Sequence, residues 1–370
     1  MNAVSVIESE PTGPAWLFSP VVDVCTFLGS ALLALGLLLI GHRNGWLAAE
    51  SPEWIWLVTI LLIDVAHVYA TGFRVYFDRE ELRRHPWLYT LAPLLGFVIG
   101  TALYSEGSLL FWSTLAYLAV FHFVRQQYGW VALYRAKAGE RAVFGRWLDT
   151  LAIYLATIYP LVYWHAHLPR NFHWFIEGDF GHLPMLTATI LQPIYWGVLA
   201  SYVVYAVYRG LVRREFNPGK DLVVITTAVC WYVGIIACNS DYAFTVTNVI
   251  IHGIPYLVLI FWFRWVRPGN ACSQRPLAGK LVWFLGICWI LAYAEELLWD
   301  SGVWHERPWL FGSFMELDGW EPWLVPLLAV PQITHYILDG FIWKRRSRRD
   351  VADMLENSPP LHAARALPDV

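Results

Sequence analysis

The chain has 370 residues, of which 57% are hydrophobic and only 15% charged, against roughly 25% charged in an ordinary soluble domain. Its mean hydropathy of +0.45 comes with 22 Trp, 19 Tyr and 20 Phe, the amphipathic rings that gather at lipid headgroup level. A net charge of -3 offers no basic face to nucleic acid, and the low polarity excludes disorder. The five scattered cysteines (Cys25, Cys230, Cys238, Cys272 and Cys288) exclude a disulfide scaffold and read as small core residues.

The expected fold class is therefore an all-α integral membrane protein. A helix needs about 20 apolar residues to cross the hydrocarbon. Ten segments qualify or nearly so in chain order: 21–41, 53–77, 87–104, 109–134, 147–164, 186–208, 221–238, 242–265, 281–299 and 323–343. Residues 1–20 form an N-terminal segment, 21–343 a single transmembrane domain, and 344–370 a basic tail. The start carries Glu8 and Glu10, with no Lys or Arg before Arg43, so it lacks the basic opening of a cleaved signal peptide and the first helix is expected to be retained.

Orientation follows from the tendency of cytoplasmic loops to hold Lys and Arg. Arg74, Arg79, Arg83 and Arg84 fall between the second and third segments; Arg135, Lys137, Arg141 and Arg146 between the fourth and fifth; Arg209, Arg213, Arg214 and Lys220 between the sixth and seventh. Arg264, Arg267, Arg275 and Lys280 follow the eighth, and Lys344, Arg345, Arg346, Arg348 and Arg349 the tenth, whereas the other side holds Arg43, Arg170 and Arg307. This alternation places both termini in the cytoplasm, with the basic tail anchored at the anionic leaflet. Without an organellar presequence, the expected location is a bacterial inner membrane or a similar plasma membrane. The long connections 165–185 and 300–322 fall on the opposite side, as candidates for interfacial helices or caps.

Ionisable side chains at membrane depth cost at least about 2.5 kcal/mol each, so they face the bundle interior and have partners. Four segments carry them: Asp64 and His67 in the second, His122, Arg125 and Gln126 in the fourth, Asn248 and His252 in the eighth, His335 and Asp339 in the tenth. From the estimated start of each segment the four histidines lie roughly 15 to 20 Å deep, at 1.5 Å per residue, and so share one layer. Asp64 and His67 are three apart, while His122 and Gln126, Asn248 and His252, and His335 and Asp339 are four apart. Each pair therefore points one way into the bundle.

Imidazole with carboxylate is the ligand set of iron, manganese or zinc, and bundle helices present carboxylate-x-x-His to metals in soluble di-iron proteins. His67, His122, His252 and His335 are the expected ligands, with Asp64 and Asp339 ligating or orienting the imidazoles. Gln126 and Asn248 are weaker candidates, since an amide also bridges helices. Arg125 is expected to pair with Asp64 or Asp339 or to hold an anionic substrate head. Tyr256 and Tyr336 are candidate proton donors, and Gly253, Pro255, Pro326 and Pro331 can open backbone near the layer. His165, His167, His173 and His182 form a second, external group whose metal binding stays open. Glu295 and Glu296 read as solvated interfacial acids.

In ligand chemistry this set resembles the membrane-bound histidine-rich oxygenases and desaturases, whose di-iron sites act on lipids, although the chain has no H-x-x-H-H cluster. It is also similar to bacterial membrane carotenoid-cleaving oxygenases with His-ligated iron in the bilayer. The resemblance implies a metal-dependent oxidoreductase holding one or two non-haem irons. Its substrate would be a lipid, isoprenoid or carotenoid entering laterally, with an electron-donor protein as a further partner. Two alternatives use the same residues: a proton- or cation-coupled transporter, and a haem b or quinone electron carrier. Zinc and manganese remain alternative metals.

Overall fold

A computed structural model describes residues 15–49, 51–267, 276–313, 319–344 and 349–356. The regular structure among these is entirely helical. In chain order the long helices are α1 (Pro20–Arg43), α2 (Glu53–Arg74), α3 (Pro86–Glu106), α4 (Ser108–Lys137), α5 (Val143–Ala166), α6 (Met185–Leu211), α7 (Pro218–Ala237), α8 (Asp241–Val266), α9 (Leu277–Trp304) and α10 (Glu321–Ile342). A short helix α11 (Arg349–Glu356) follows. Nine of these are long and apolar enough to cross a membrane, and the chain is a multi-pass helical membrane protein.

Of the ten expected spans, the one at α5 is not among these nine. Tyr154, Tyr159, Pro160 and Tyr163 lower its hydropathy. It is nevertheless 24 residues long and runs antiparallel to α4 over a comparable height. Asp149 near its start meets Arg135, and His165 near its end meets Tyr117.

Two further boundaries differ from the sequence reading. The connection expected at 300–322 begins later, because α9 continues through Trp304, and a short helix Pro308–Phe311 follows; residues 314–318 lie outside the described residues. The tail expected to be only a basic anchor contributes α11, whose Val351, Met354 and Leu355 are buried, while Asp350 pairs with Arg74 at 2.6 Å. Residues 1–14, with Glu8 and Glu10, as well as Cys272, Arg275, 345–348 and 357–370, lie outside the described residues.

The helices sort by burial. Most of α8 is enclosed by neighbours, and it packs on α1, α2 and α7. By contrast α6 turns Leu186, Ile190, Val204 and Leu211 outward, an apolar exterior suited to lipid and not to water. Gly253 sets the closest approach of α8 to α2: a Cβ there would stand 2.6 Å from the Ile63 side chain and 3.3 Å from its carbonyl oxygen. Small residues let membrane helices approach in this way. Pro255 lies inside the unbroken helix, so the backbone opening expected there does not occur. In α10 the helix is interrupted at Ala329, and Pro331 sits in the first turn of the restarted segment.

One end of the bundle is fastened by charge. Lys220 reaches Glu140 at 2.7 Å and Asp149 at 2.8 Å, Arg209 holds Glu140 at 2.7 Å and Asp221 at 3.0 Å, and Arg135 binds Asp149. Three cations thus face three carboxylates and tie α4, α5, α6 and α7 together. Glu140 lies in the connection between α4 and α5. Burial alone would raise its carboxyl, but Lys220, Asn217 and Arg209 outweigh that and hold it below the usual glutamate value.

A carboxyl lowered by folding gives stability that is complete above its unfolded pKa and is lost as pH falls through the lowered folded value. Wild-type protein in detergent should therefore exceed Glu140→Gln in melting temperature at neutral pH, with the gap closing on acidification below the ordinary carboxylate range. Thermal unfolding against pH checks this, and a gap that stays constant would contradict it.

Candidate metal centre

The histidine layer expected from sequence depth is present. α2, α4, α8 and α10 each deliver one imidazole, and all four rings are buried to 3% exposure or less. His67 and His252 face each other through Nε2 atoms 3.1 Å apart, as do His335 and His122. The two pairs close into a ring: centroids lie 4.8 Å apart from His67 to His335 and 5.1 Å from His122 to His252. His67, His122 and His335 bring potential ligand atoms within 4.8 Å of one another, and so do Asp64, His67 and His252.

Behind the ring, the outward nitrogens meet an oxygen-rich surround. Nδ1 of His67 is 3.5 Å from Asp64, and Nδ1 of His122 is 3.7 Å from Asp339, both just beyond ordinary hydrogen-bond reach. Nδ1 of His335 bonds the Thr71 hydroxyl at 2.7 Å, and Thr71 continues to the Tyr256 hydroxyl at 2.9 Å. Each Nε2 thus faces another Nε2, while a carboxylate or hydroxyl stands at the back of three rings. This is how metal-ligating histidines are oriented in proteins.

Several buried polar atoms around the ring lack a hydrogen-bond partner: Asp64 Oδ1, His67 Nδ1, Gln126 Oε1, Asn248 Oδ1, His252 Nδ1 and Asp339 Oδ1. Buried polar atoms are normally paired, so such a concentration needs an explanation. A cation with its hydration would satisfy the acceptors among them.

The remaining candidates divide. Gln126 donates to the backbone oxygen of His252 at 2.9 Å and so bridges α4 to α8. Asn248 donates to Phe244 O within its own helix, and its Oδ1 is buried without a hydrogen-bond partner. Tyr256 is fully buried; its hydroxyl connects to His335 through Thr71, and its ring stands edge-on to His335 at 5.0 Å. Tyr336 stacks on His122 at 4.7 Å.

The pairing of Arg125 with Asp64 or Asp339 does not form. Its side chain is exposed, donates to the Tyr154 hydroxyl and lies over the Tyr128 ring, away from Asp64 and Asp339. The tyrosines of α5 and the outer face of α4 give the guanidinium polar and π partners without desolvating it in the ring.

Glu295 and Glu296 are also corrected. Both are buried, and Glu295 accepts from Tyr69 at 2.6 Å and from Trp299 at 3.2 Å, because α9 folds directly onto α2. In the external group His165 bonds Leu161 O and Tyr117, His167 bonds Tyr163 O, and His182 bonds Leu168 O and Leu183 O. Among the described residues, the groups able to hold a metal include none of them.

Sequence reasoning missed Thr71, although it sits one helical turn after His67, because a threonine is common in any helix. It also missed Phe123, which stacks on His252 at 3.6 Å from a neighbouring helix. Thr71→Val keeps the shape and removes the hydrogen bond to His335. Loss of an outer partner of a metal-bound histidine weakens metal binding by roughly 10- to 100-fold. Competition against a chelator should show that loss, and unchanged affinity would contradict the role given to Thr71.

A cavity of about 350 Å³ lies beside this layer: none of the four imidazoles lines it, but Asp64, Phe123 and Tyr336, which touch His67, His252 and His122, do. Its floor includes Asp64, Phe123, Asn248 and Tyr336, and its mouth Ser51, Asp241, Glu306 and Arg307, at the end opposite the charge network. No protein family, curated protein or solved structure matches the chain.

Proposed function

We propose that the chain is an integral-membrane metalloenzyme, a non-haem iron oxygenase or desaturase acting on a hydrophobic lipid or isoprenoid, carotenoids included. The observation that carries this reading is the closed ring of four imidazoles with facing Nε2 atoms. With metal–nitrogen bonds of about 2.1 Å, nitrogens at a right angle stand about 3.0 Å apart and at a tetrahedral angle about 3.4 Å. The 3.1 Å separations fall within this span, and in the absence of an ion they are the length of N–H···N hydrogen bonds between imidazoles.

His67, His122, His252 and His335 would hold one or two ions, and the paired arrangement suits either number. The bound iron would supply O₂ activation. Asp64 and Asp339 orient imidazoles and hold protons, with Asp64 on the cavity side. Thr71 and Tyr256 fix the His335 ring, and the enclosing apolar helices keep bulk water away. In this reading all ten long helices cross the membrane, the charge network marks the cytoplasmic end, and both termini are cytoplasmic in a bacterial inner membrane.

The test is nitric oxide binding to the ferrous-loaded protein, which reports a coordination position open to O₂. A high-spin iron–nitrosyl EPR signal is expected at a stoichiometry matching the bound iron. Metal-free protein that instead takes up solute along a pH gradient would overturn the enzyme reading in favour of transport.

A further inference from the structure

The cavity has more to say about the substrate than the histidines do. Along α8 it extends from Asp241 to Val249, about 12 Å at 1.5 Å per residue. That carries it from one end of the bundle toward the middle of a hydrocarbon layer about 30 Å thick. Its lining includes five indoles, Trp56, Trp112, Trp174, Trp299 and Trp304. Trp299 and Trp304 are stacked at an interplanar angle of 22°, with Trp112 5.2 Å from Trp304. Aromatic rings add specific π contacts to their apolar burial, which a planar unsaturated chain can make and a saturated one cannot.

The mouth has its own chemistry. Asp241 and Glu306 place carboxylates there, and Ser51 donates to Asp241 at 3.0 Å. Arg307 is already engaged, bonded to Glu306 at 2.8 Å and Glu53 at 3.2 Å and lying over Trp56. Glu296 adds a buried carboxyl deeper in the wall. An anionic head would meet net negative charge, whereas a hydroxyl or carbonyl finds donors and acceptors.

We infer that this cavity is the substrate channel. A flat, unsaturated apolar chain enters end-on from the face opposite the charge network, its uncharged polar terminus stays at the mouth, and its apolar end reaches Asp64 and Tyr336. This replaces the lateral access expected from sequence, and as a substrate assignment it rests on the reading of the histidine ring as a catalytic centre. Binding itself does not depend on metal, so the two can fail separately.

The experiment uses metal-free full-length protein in detergent and follows energy transfer from tryptophan to 2,4,6,8-decatetraen-1-ol, a conjugated polyene whose ten carbons match the length of the channel. The corresponding tetraenoic acid is the anionic control and decan-1-ol the saturated competitor. Saturable transfer to the alcohol is expected, with at least tenfold weaker binding of the acid at neutral pH and little competition by decan-1-ol. Thr245→Trp, which fills the channel midway, should abolish the saturable signal. Glu306→Lys, at an exposed residue, should narrow the gap between alcohol and acid. Equal binding of acid and alcohol, unaffected by either variant, would place the probe on the lipid-facing exterior and overturn the inference. Polyene binding by a protein that never takes up metal would keep the channel and remove the catalytic reading.

Discussion

His335→Ala is expected to lose its metal and its activity together, with occupancy falling at least tenfold. His335 has a hydrogen-bonding partner at each of its two ring nitrogens. It meets His122 through Nε2, is held at Nδ1 by Thr71, and lies within 4.8 Å of His67 between ring centroids. Its removal takes away a ligand and frees the Thr71 hydroxyl that fixed it. It also deprives His122 of its facing partner, so one pair of the ring ceases to exist.

A structural account of the same histidine predicts lower stability with no metal to lose. His335→Gln keeps a polar side chain of similar reach and separates the two accounts. Under the metal reading it stays folded by circular dichroism and gel filtration, yet binds metal more than tenfold more weakly. Retained stoichiometric metal in both variants would remove His335 from the ligand set.

Lys220→Ala should produce the largest loss of stability, about 3 to 5 kcal/mol, the range found when one partner of a buried ion pair is deleted. Lys220 is fully buried and spans Glu140 and Asp149. Without its ammonium, Asp149 keeps only Arg135, and Glu140 must share Arg135 and Arg209. The charge balance of the network then changes from three against three to two against three. Replacing a whole buried ion network by apolar groups is often neutral, so the sign of this effect depends on leaving the carboxylates in place. Lys220→Met combined with Asp149→Leu should therefore recover part of the loss. Chemical unfolding in detergent measures both, and a loss below about 1 kcal/mol, as for exposed pairs, would contradict the account.

Much of the site was legible because membrane depth is a strong filter. An imidazole at the middle of an apolar segment is costly, and four at similar depth with polar residues one turn away carry a geometric signal that survives uncertain helix boundaries. The helices then brought His67, His122, His252 and His335 into one ring.

What was not legible depends on which helices become neighbours. Arg125 lies three residues from His122, which puts it about 60° round the helix, and its long side chain leaves the interior for Tyr154 on α5. Glu295 and Glu296 read as interfacial because hydropathy says nothing of Tyr69 on the facing helix. The alternation of basic loops points to a span at α5, whose tyrosines keep it below the apolarity of the other nine. The channel emerges only when the walls of α2, α4, α8 and α9 converge with the loop bearing Trp174. The charge network combines residues that sequence reading assigns to separate loops, where each looks like a simple topology signal.

Iron content combined with X-ray absorption at the iron edge, on the detergent-purified wild-type protein, tests the histidine ring most directly. The account predicts one or two irons per chain, with a first coordination shell dominated by imidazole nitrogen at about 2.1 Å. Freshly prepared, unchelated protein with no stoichiometric metal, or with metal held mainly by oxygen or sulfur, would contradict it.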